Sequence, residues 1–492
     1  MAGREITVYR DFRRGLNVDV VPHLLDDTEL VVAKNIELGL RGALRTRKGV
    51  VRLNQTSYGA PVTQLFEWPR DDGSVWLMAV VGNKLCRIDP ATGSKTDVAT
   101  VARPTVGYFV FQDKLYFVDG NGFYVYNGTT TVAVTPKDHP ENDMTPIRRC
   151  TMLVRHPKSF RFFAAGDPQH RSTLYYSEPN EPDFWKGTSK LVPSQADGAI
   201  TGLALLADAV LVFFTNAVWV WRGIDPDEDV IWERLSAPEG TAAPGSIALT
   251  PMSMTFLGAG GLWVMSPSAL GLSGEIRSDG QAFINVSDNR VNSLLASITQ
   301  RDKVAAAYDA RRQKYLLTFT TKATGGNDRI LEYDWSLGSF VLHEGIPAHS
   351  LLYTQAGDTL AGIDGYVLRL NDGNLDFDGI PQPIAMEVLT PPYNPAPMTP
   401  KQFQRLLVTF SKTSEQMSLP CDVIVDGATV LSIDLAQYVD TPAHTDIVTA
   451  RVPMHVNGES LQLRFAVEQL DPVTLYAWAF EWVPLWRKGK QI

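Results

Sequence analysis

The side chains that most often perform catalysis are present in this chain, but they do not form a known catalytic pattern. Its eight histidines are scattered, and none forms an HxH, HExxH or His/Cys arrangement with metal-ligand spacing. The sequence has no GxSxG turn, no P-loop and no GxGxxG loop after a strand. Glycoside hydrolysis needs two carboxylates about 5–10 Å apart, and acidic residues alone do not predict such a pair. We therefore predict no catalytic, cofactor-binding or metal-binding residue, and a protein that is not an enzyme.

Two acidic clusters carry the oxygen ligands that Ca²⁺ prefers, DPDED at 225–229 and DFDG at 376–379. Neither cluster ends in the glutamate that an EF-hand loop requires, so solvated loop acids are the simpler interpretation. We keep the acids of the first cluster as candidate residues of a channel-lining or interface loop. These are Asp225, Asp227, Glu228 and Asp229.

The composition argues against several classes of protein. A formal net charge of −9 disfavours a protein that grips nucleic acid, because such a grip needs a basic surface. Three cysteines, none in a CxxC pair, predict buried thiols in a protein made in a reducing cytoplasm. The N-terminal arginines are not followed by an apolar signal core, and no run of about 18 apolar residues occurs. We expect no membrane-spanning segment.

The elements that position these residues are short β-strands, and the segment 107–128 is their prototype. It reads GYFVFQDKLYFVDGNGFYVYNG, three aromatic-rich strands separated by two tight turns. One such meander cannot bury its own apolar face, so repeated meanders must stack. The pattern recurs every ~35–50 residues from residue 62 to residue 371, the spacing of propeller blades. We predict an all-β fold with a β-propeller of about seven blades (range six to eight), one of them completed by an N-terminal strand.

The two ends of the chain differ from these repeats. Residues 1–50 are predicted to form an N-terminal arm or clasp, with a strand near residues 6–9 and a short helix over 27–34. Residues 51–375 would form the propeller, interrupted by an amphipathic helix over 288–297. Clustered Pro and Gly predict a linker at 376–400. Alternating strands over 401–492 predict a C-terminal β-sandwich.

Six segments together resemble one protein family. They are DFRRGLN at 11–17, DTE at 27–29, AKN at 33–35, GALRTRKG at 42–49, YSEPNEPDFW at 176–185 and EWVP at 481–484. They are similar to segments of the tail hub or nozzle proteins of short-tailed bacteriophages, also called tail tubular protein B. Arg14 stands where that family often has a glycine, which is a departure from the pattern.

The resemblance implies a structural virion protein of the phage tail, assembled in the host cytoplasm. Such proteins form a homohexameric ring below the portal and adaptor proteins, anchor a tail fibre or spike, and let double-stranded DNA pass through the lumen without specific binding. The N-terminal segment would then dock neighbouring subunits or the adaptor through Arg13, Arg14, Asn17, Asn35, Arg45 and Arg47. Two alternatives stay open: a carbohydrate-active propeller enzyme, and a monomeric propeller that recognises a receptor.

Overall fold

The computed structural model describes residues 4–226, 228, 231–251, 253–266, 282–378, 380–414, 417–439 and 446–485. These residues form an all-β protein with two short α-helices, α1 at Thr145–Arg149 and α2 at Asn292–Ala296. Short 3-10 turns occupy Pro22–Leu24, Pro244–Ser246, Arg301–Lys303 and Leu435–Tyr438. The segment predicted as the prototype meander forms three antiparallel strands, as expected, and a fourth strand follows them.

Groups of four antiparallel strands follow one another through the centre of the chain, in the order of their strands; the first five groups are separate sheets, and the sixth, β28 to β31, is part of a larger sheet. Their bounds are β8 Val62–Pro69, β9 Val75–Val81, β10 Lys84–Ile88, β11 Lys95–Thr100; β12 Gly107–Phe111, β13 Lys114–Val118, β14 Phe123–Tyr126, β15 Thr131–Ala133; β16 Met152–Arg155, β17 Phe162–Ala165, β18 Leu174–Tyr176, β19 Lys190–Leu191; β20 Ile200–Leu206, β21 Ala209–Phe214, β22 Val218–Arg222, β23 Ile231–Arg234; β24 Ala248–Thr250, β25 Ser253–Leu257, β26 Leu262–Met265, β27 Phe283–Asn285; β28 Ala305–Asp309, β29 Lys314–Phe319, β30 Arg329–Asp334, β31 Ser339–Glu344.

A last sheet closes the series with a strand from the N-terminal segment. Strands β32 Ser350–Tyr353, β33 Thr359–Gly362 and β34 Val367–Leu370 pair in order, and β7 Val50–Arg52 pairs with β34. The first strand of this sheet contacts β8 of the first sheet, and the Ser350 hydroxyl donates to the carbonyl of Val62 at 2.9 Å. A closed series of such sheets around one axis is a β-propeller. The predicted completion by an N-terminal strand is confirmed at β7.

The remaining N-terminal and C-terminal strands form two large sheets, apart from β35 and β36, which pair with each other in a two-stranded sheet. The N-terminal strands are β1 Glu5–Tyr9, β2 Gly15–Leu16, β3 Glu29–Leu30, β4 Val32–Lys34, β5 Ile36–Leu38 and β6 Leu44–Thr46. The C-terminal strands are β35 Asp376–Asp378, β36 Ile380–Gln382, β37 Ile384–Leu389, β38 Lys401–Ser411, β39 Pro420–Val425, β40 Ala428–Asp434, β41 Ile447–Gly458, β42 Leu461–Gln469 and β43 Thr474–Pro484. One sheet contains β41, β38 and β43, extended by β1, β6 and β5.

The second large sheet is continuous with the propeller. It runs in the order β28-β29-β30-β31-β4-β37-β42-β39-β40, so β4 lies between a propeller strand and a C-terminal strand. Hydrophobic side chains follow the same path, because one buried cluster contains Phe340 of the propeller, Phe12 and Leu30 of the N-terminal segment, and Phe465 and Trp478 of the C-terminal region. The N-terminal and C-terminal segments therefore share a core.

Three sequence predictions are corrected by these elements. The helix predicted over 27–34 is wrong, because β3 and β4 occupy that segment and pair with neighbouring strands, which overrides a local helix signal. The helix predicted over 288–297 is shortened to α2, although its expected apolar face is buried at Val291, Leu295 and Ile298. Part of the predicted linker is strand β37, which pairs with β4 and β42.

Candidate functional site

Three of the six predicted docking residues are exposed arginines. Arg13 has half of its side chain exposed and pairs with Asp11, two residues away, at 2.7 Å between Nη2 and Oδ2. Arg14 is similarly exposed and lies 3.5 Å from the carboxylate of Asp26. Arg45 is exposed on β6. Exposed pairs of this kind contribute little to stability, so these three cations stay accessible to a partner.

Asn17, in contrast, is buried and fully used inside the chain. Its Nδ2 donates to Glu29 Oε1 and to the carbonyl of Asn289, each at 3.1 Å, and its Oδ1 accepts the backbone N–H of Val20 at 3.2 Å. The side chain thereby fixes the N-terminal loop against the turn that precedes α2. Docking through Asn17 stays a prediction, and its amide is already bonded within the chain.

Asn35 and Arg47 lie at the centre of a contact that we call the joint, formed with Glu344, Asp376 and Ala385. Arg47 is 4% exposed and donates to both carboxylate oxygens of Asp376, at 2.8 Å to Oδ1. Its Nε donates to Asn35 Oδ1 at 3.1 Å, and the Asn35 Nδ2 donates to the carbonyl of Ala385 at 2.7 Å. The backbone N–H of Glu344 donates to the same Asn35 oxygen at 3.0 Å.

The joint therefore connects β31 of the propeller with β35 and β37 through two residues of the N-terminal segment. Asn35 adopts a left-handed backbone with φ 54°, which asparagine tolerates better than most residues. Docking of a neighbour through Asn35 and Arg47 stays a prediction, and both side chains are buried and bonded within the chain. The Asp376 cluster considered as a calcium ligand set is likewise engaged by Arg47.

A second group of buried charges lies next to the joint, on β29, β30 and β31. Glu332 is 1% exposed, accepts a hydrogen bond from Lys314, is hydrogen-bonded to His343 Nε2 and forms an ion pair with Arg312 at 3.6 Å. Burial alone would raise the pKa of Glu332, but the nearby Lys314 charge and the His343 hydrogen bond hold it well below its usual range. Burial lowers the pKa of His343 despite its contact with Glu332. These groups stabilise the chain's own sheets and are closed to a substrate.

The acidic loop after β22 is only partly described. Asp227 and Asp229 lie outside the described residues. Asp225 accepts a hydrogen bond from Arg161 Nη2 at 2.9 Å, whereas Glu228 is exposed. Arg161 also donates to the carbonyl of Ser177, which begins the turn in the YSEPNEPDFW segment. Asp225 therefore anchors its loop to a neighbouring blade.

The other segments that carry the family resemblance are structural as well. Trp185 of YSEPNEPDFW is 1% exposed, and its indole N–H donates to the carbonyl of Pro182 at 2.8 Å. Trp482 of EWVP is buried and donates to the Thr7 hydroxyl at 3.1 Å, which fastens β1 to β43. Each segment thus closes a turn or a strand pair.

A cavity on the propeller axis has a volume of about 890 Å³, within the range of small-molecule sites. The first strands β8, β12, β16, β20, β28 and β32 line it, together with the loops that precede them. Its wall is largely apolar, and the lining polar side chains Gln64 and Ser350 are bonded to neighbouring backbone. These hydrogen bonds connect neighbouring blades and leave few hydrogen-bond donors free on the wall.

Besides Tyr108, the ionisable residues among those that line the cavity are Asp302, Lys303, His349 and Asp364, which we call the rim. His349 Nε2 lies 2.9 Å from Asp364 Oδ1, and Lys303 Nζ donates to the carbonyl of Gly325 at 3.2 Å. Asp302 is exposed and has no hydrogen-bond or ion-pair partner among the described residues. We did not predict these residues from the sequence; their signal is that 302–303 and 349 immediately precede innermost strands, which converge at the axis.

In the described parts of the chain, no group of three or more His, Cys, Asp or Glu side chains is arranged to hold a metal ion. The same residues include no helix that is both long and apolar enough to cross a membrane.

Comparison with known proteins gives distant structural likenesses only. No family model and no curated protein matches the chain. The chain is similar to the extracellular domain of a one-component system from B. thetaiotaomicron, with a TM-score of 0.45 and 10% identity over 91% of this chain and 62% of the other. It is also similar to a streptogramin B lyase, with a TM-score of 0.43 and 11% identity over 66% of this chain and 97% of the other. It is similar as well to the Pan2 WD40 domain from Neurospora crassa, with a TM-score of 0.40 and 9% identity over 66% of this chain and 96% of the other. Likenesses this distant do not bear on what the chain does.

Proposed function

We propose that this chain is a non-enzymatic structural subunit of a bacteriophage tail, of the hub or nozzle type. The observation that supports this proposal most directly is the place of the resembling N-terminal segments in the fold. DFRRGLN, AKN and GALRTRKG contribute Phe12 and Asn35 to the shared contacts between the propeller and the C-terminal strands, and Arg47 to the joint. A subunit that transmits force between portal and tail needs such rigid coupling.

The finer architecture belongs to the same proposal. We propose seven propeller blades, the last completed by β7, and a C-terminal β-sandwich that serves as a platform. Alternation of buried and half-buried residues along β38 supports the sandwich, because it gives that strand one core-facing side. The platform includes β1, β5 and β6, so the N-terminal segment is part of it.

We further propose that copies assemble as a homohexamer below the portal and adaptor proteins in the virion, and that the ring anchors a fibre or spike. Double-stranded DNA would pass through a lumen between copies rather than through the cavity of one chain. A net charge of −9 supports passage without specific binding, since DNA phosphates are repelled by an acidic lining.

Exposure restricts the docking candidates to Arg13, Arg14 and Arg45. We expect a variant with all three replaced by serine to fold normally and to lose binding to the adaptor–portal assembly. The matched control replaces three exposed arginines of the propeller, Arg103, Arg171 and Arg311, which are spread over different blades. Equal binding by both triple variants would contradict the assignment of these arginines, whatever the assembly itself does.

Negative-stain microscopy of the purified protein, alone and mixed with adaptor–portal complexes, tests the function. Sixfold rings, or an added knob below the portal, are the expected result. Single propellers that do not bind the adaptor–portal complexes would contradict the proposal. A glycan-binding and polysaccharide-cleavage assay would then test the two alternatives, the receptor-binding and the carbohydrate-active propeller.

A further inference from the structure

The axial cavity has a composition that favours one class of small ligand. Leu65, Leu153, Leu203 and Leu351 line its wall, contributed by strands β8, β16, β20 and β32. Such a wall accepts an apolar body, because burying apolar surface is favourable and requires no hydrogen-bond partner. The volume of about 890 Å³ suits a drug-sized molecule.

The charges of the rim set the preferred head group of that ligand. The rim contains two carboxylates, Asp302 and Asp364, and one ammonium, Lys303, which already donates to a backbone carbonyl. Asp364 is 77% exposed, and it shares one oxygen with His349. The rim therefore carries more free hydrogen-bond acceptors than free donors, and its carboxylates outnumber its ammonium groups.

We propose that the axial cavity binds small organic cations that carry an ammonium group on an apolar body. The apolar body enters between the innermost strands, and the ammonium donates to Asp302 and Asp364 at the rim. This site is independent of the proposed hub function, since it lies on the axis of one chain and needs no second copy.

Isothermal titration with 2-phenylethylammonium, 2-phenylethanol and 3-phenylpropanoate tests the proposal, because the three probes share one aromatic body. We expect the ammonium to bind with one site per chain and more tightly than the alcohol, and the carboxylate to bind most weakly. Asp302→Asn and Asp364→Asn should each weaken ammonium binding about fivefold, as expected for partly exposed charge pairs. Asp72→Asn, an exposed carboxylate in the β8–β9 turn outside the cavity, is the matched control.

Two filling variants locate the binding. Leu203→Trp and Ala306→Trp each place a large ring in the cavity, and whichever of them retains the wild-type circular dichroism spectrum should abolish ammonium binding. If neither tryptophan variant folds, Asp302→Asn and Asp364→Asn alone test whether the ammonium binds in the cavity. Absence of ammonium binding, equal affinity for all three probes, or binding that survives a folded tryptophan variant would overturn the proposal. None of these results would affect ring assembly, which is measured separately.

Discussion

The joint and the rim of the axial cavity use the same kinds of residue for opposite purposes. At the joint, Arg47 and Asp376 are bonded to each other, and the arginine is 4% exposed. At the rim, Asp302 has no partner among the described residues, and Asp364 is 77% exposed. A buried charge must be paired because its desolvation is costly, whereas an exposed charge can stay free for a ligand. Charged residues therefore indicate function here only where the fold leaves them accessible.

The largest effect is expected from breaking the joint. Arg47→Met should lower the free energy of unfolding by about 3 kcal/mol, because it leaves the Asp376 carboxylate and the Asn35 amide oxygen without their donor. Arg45→Met, two residues away and exposed, should change it by less than about 0.5 kcal/mol. Urea denaturation followed by tryptophan fluorescence measures both. Similar values for the two variants would show that the joint does not stabilise the chain.

A smaller effect is expected from a glycine of the DFRRGLN segment that packs beside the propeller. Gly15 has φ +64°, and a Cβ there would lie 2.5 Å from the carbonyl oxygen of Phe340. Gly338 has φ +63° and open space around it, so it reports backbone strain alone. Gly338→Ala should cost about 1 kcal/mol and Gly15→Ala about 2–3 kcal/mol. Thermal unfolding of both variants measures the difference in stability. Equal losses of stability would mean that β2 and β31 move apart enough to accommodate the added methyl group.

The buried histidine near the joint should make stability depend on pH. Burial holds the pKa of His343 below its ordinary value of 6.5, so the unfolded chain takes up a proton that the folded chain does not. The stability that comes from keeping His343 neutral is therefore complete above pH 6.5. It is lost as the pH falls below 6.5, because protons then bind to the unfolded chain more than to the folded chain. Glu332, Arg312 and Arg47 are the charged groups that act on the ring. We expect the melting temperature to fall between about pH 7.5 and pH 5.5, and to fall less in His343→Gln. An unchanged slope in the variant would assign the pH effect elsewhere.

The smallest effect is expected at the rim. Asp302→Asn and Asp364→Asn should each change the free energy of unfolding by less than about 0.5 kcal/mol, because exposed charges contribute little to the fold. Urea denaturation of both variants, compared with Arg47→Met, completes the contrast. A loss near that of Arg47→Met would show that the rim, too, is part of the structural framework.

Much of the fold could be predicted from local patterns. The alternation and turn residues of 107–128 predicted strands that formed with little change, because short hairpins depend on neighbouring residues. The helix over 27–34 was predicted from capping signals, and it failed because Val32 and Ala33 pair with β37, more than 350 residues away in the chain. Long-range pairing of this kind leaves no local signal.

The docking residues divide for the same reason. Arg45 and Arg47 are neighbours of the same type within GALRTRKG, yet alternation along the chain puts the first in solvent and the second in the joint. Whether an arginine faces a partner or an internal carboxylate depends on what the opposite sheet brings to it. Asp376 arrives from 329 residues away, which sequence reasoning could not anticipate.

The sequence by itself determined that the chain is made of short strands in repeated meanders and that it lacks known catalytic motifs, because strand pattern and motif spacing are local properties. Only the tertiary structure decided that Asn35 and Arg47 of the N-terminal segment lie in the joint. The same is true of the rim, to which residues 302–303, 349 and 364 contribute from separate parts of the chain. The physical reason is that burial and pairing are set by contacts between distant segments. Those contacts decide whether a charged side chain holds the fold together or faces a ligand.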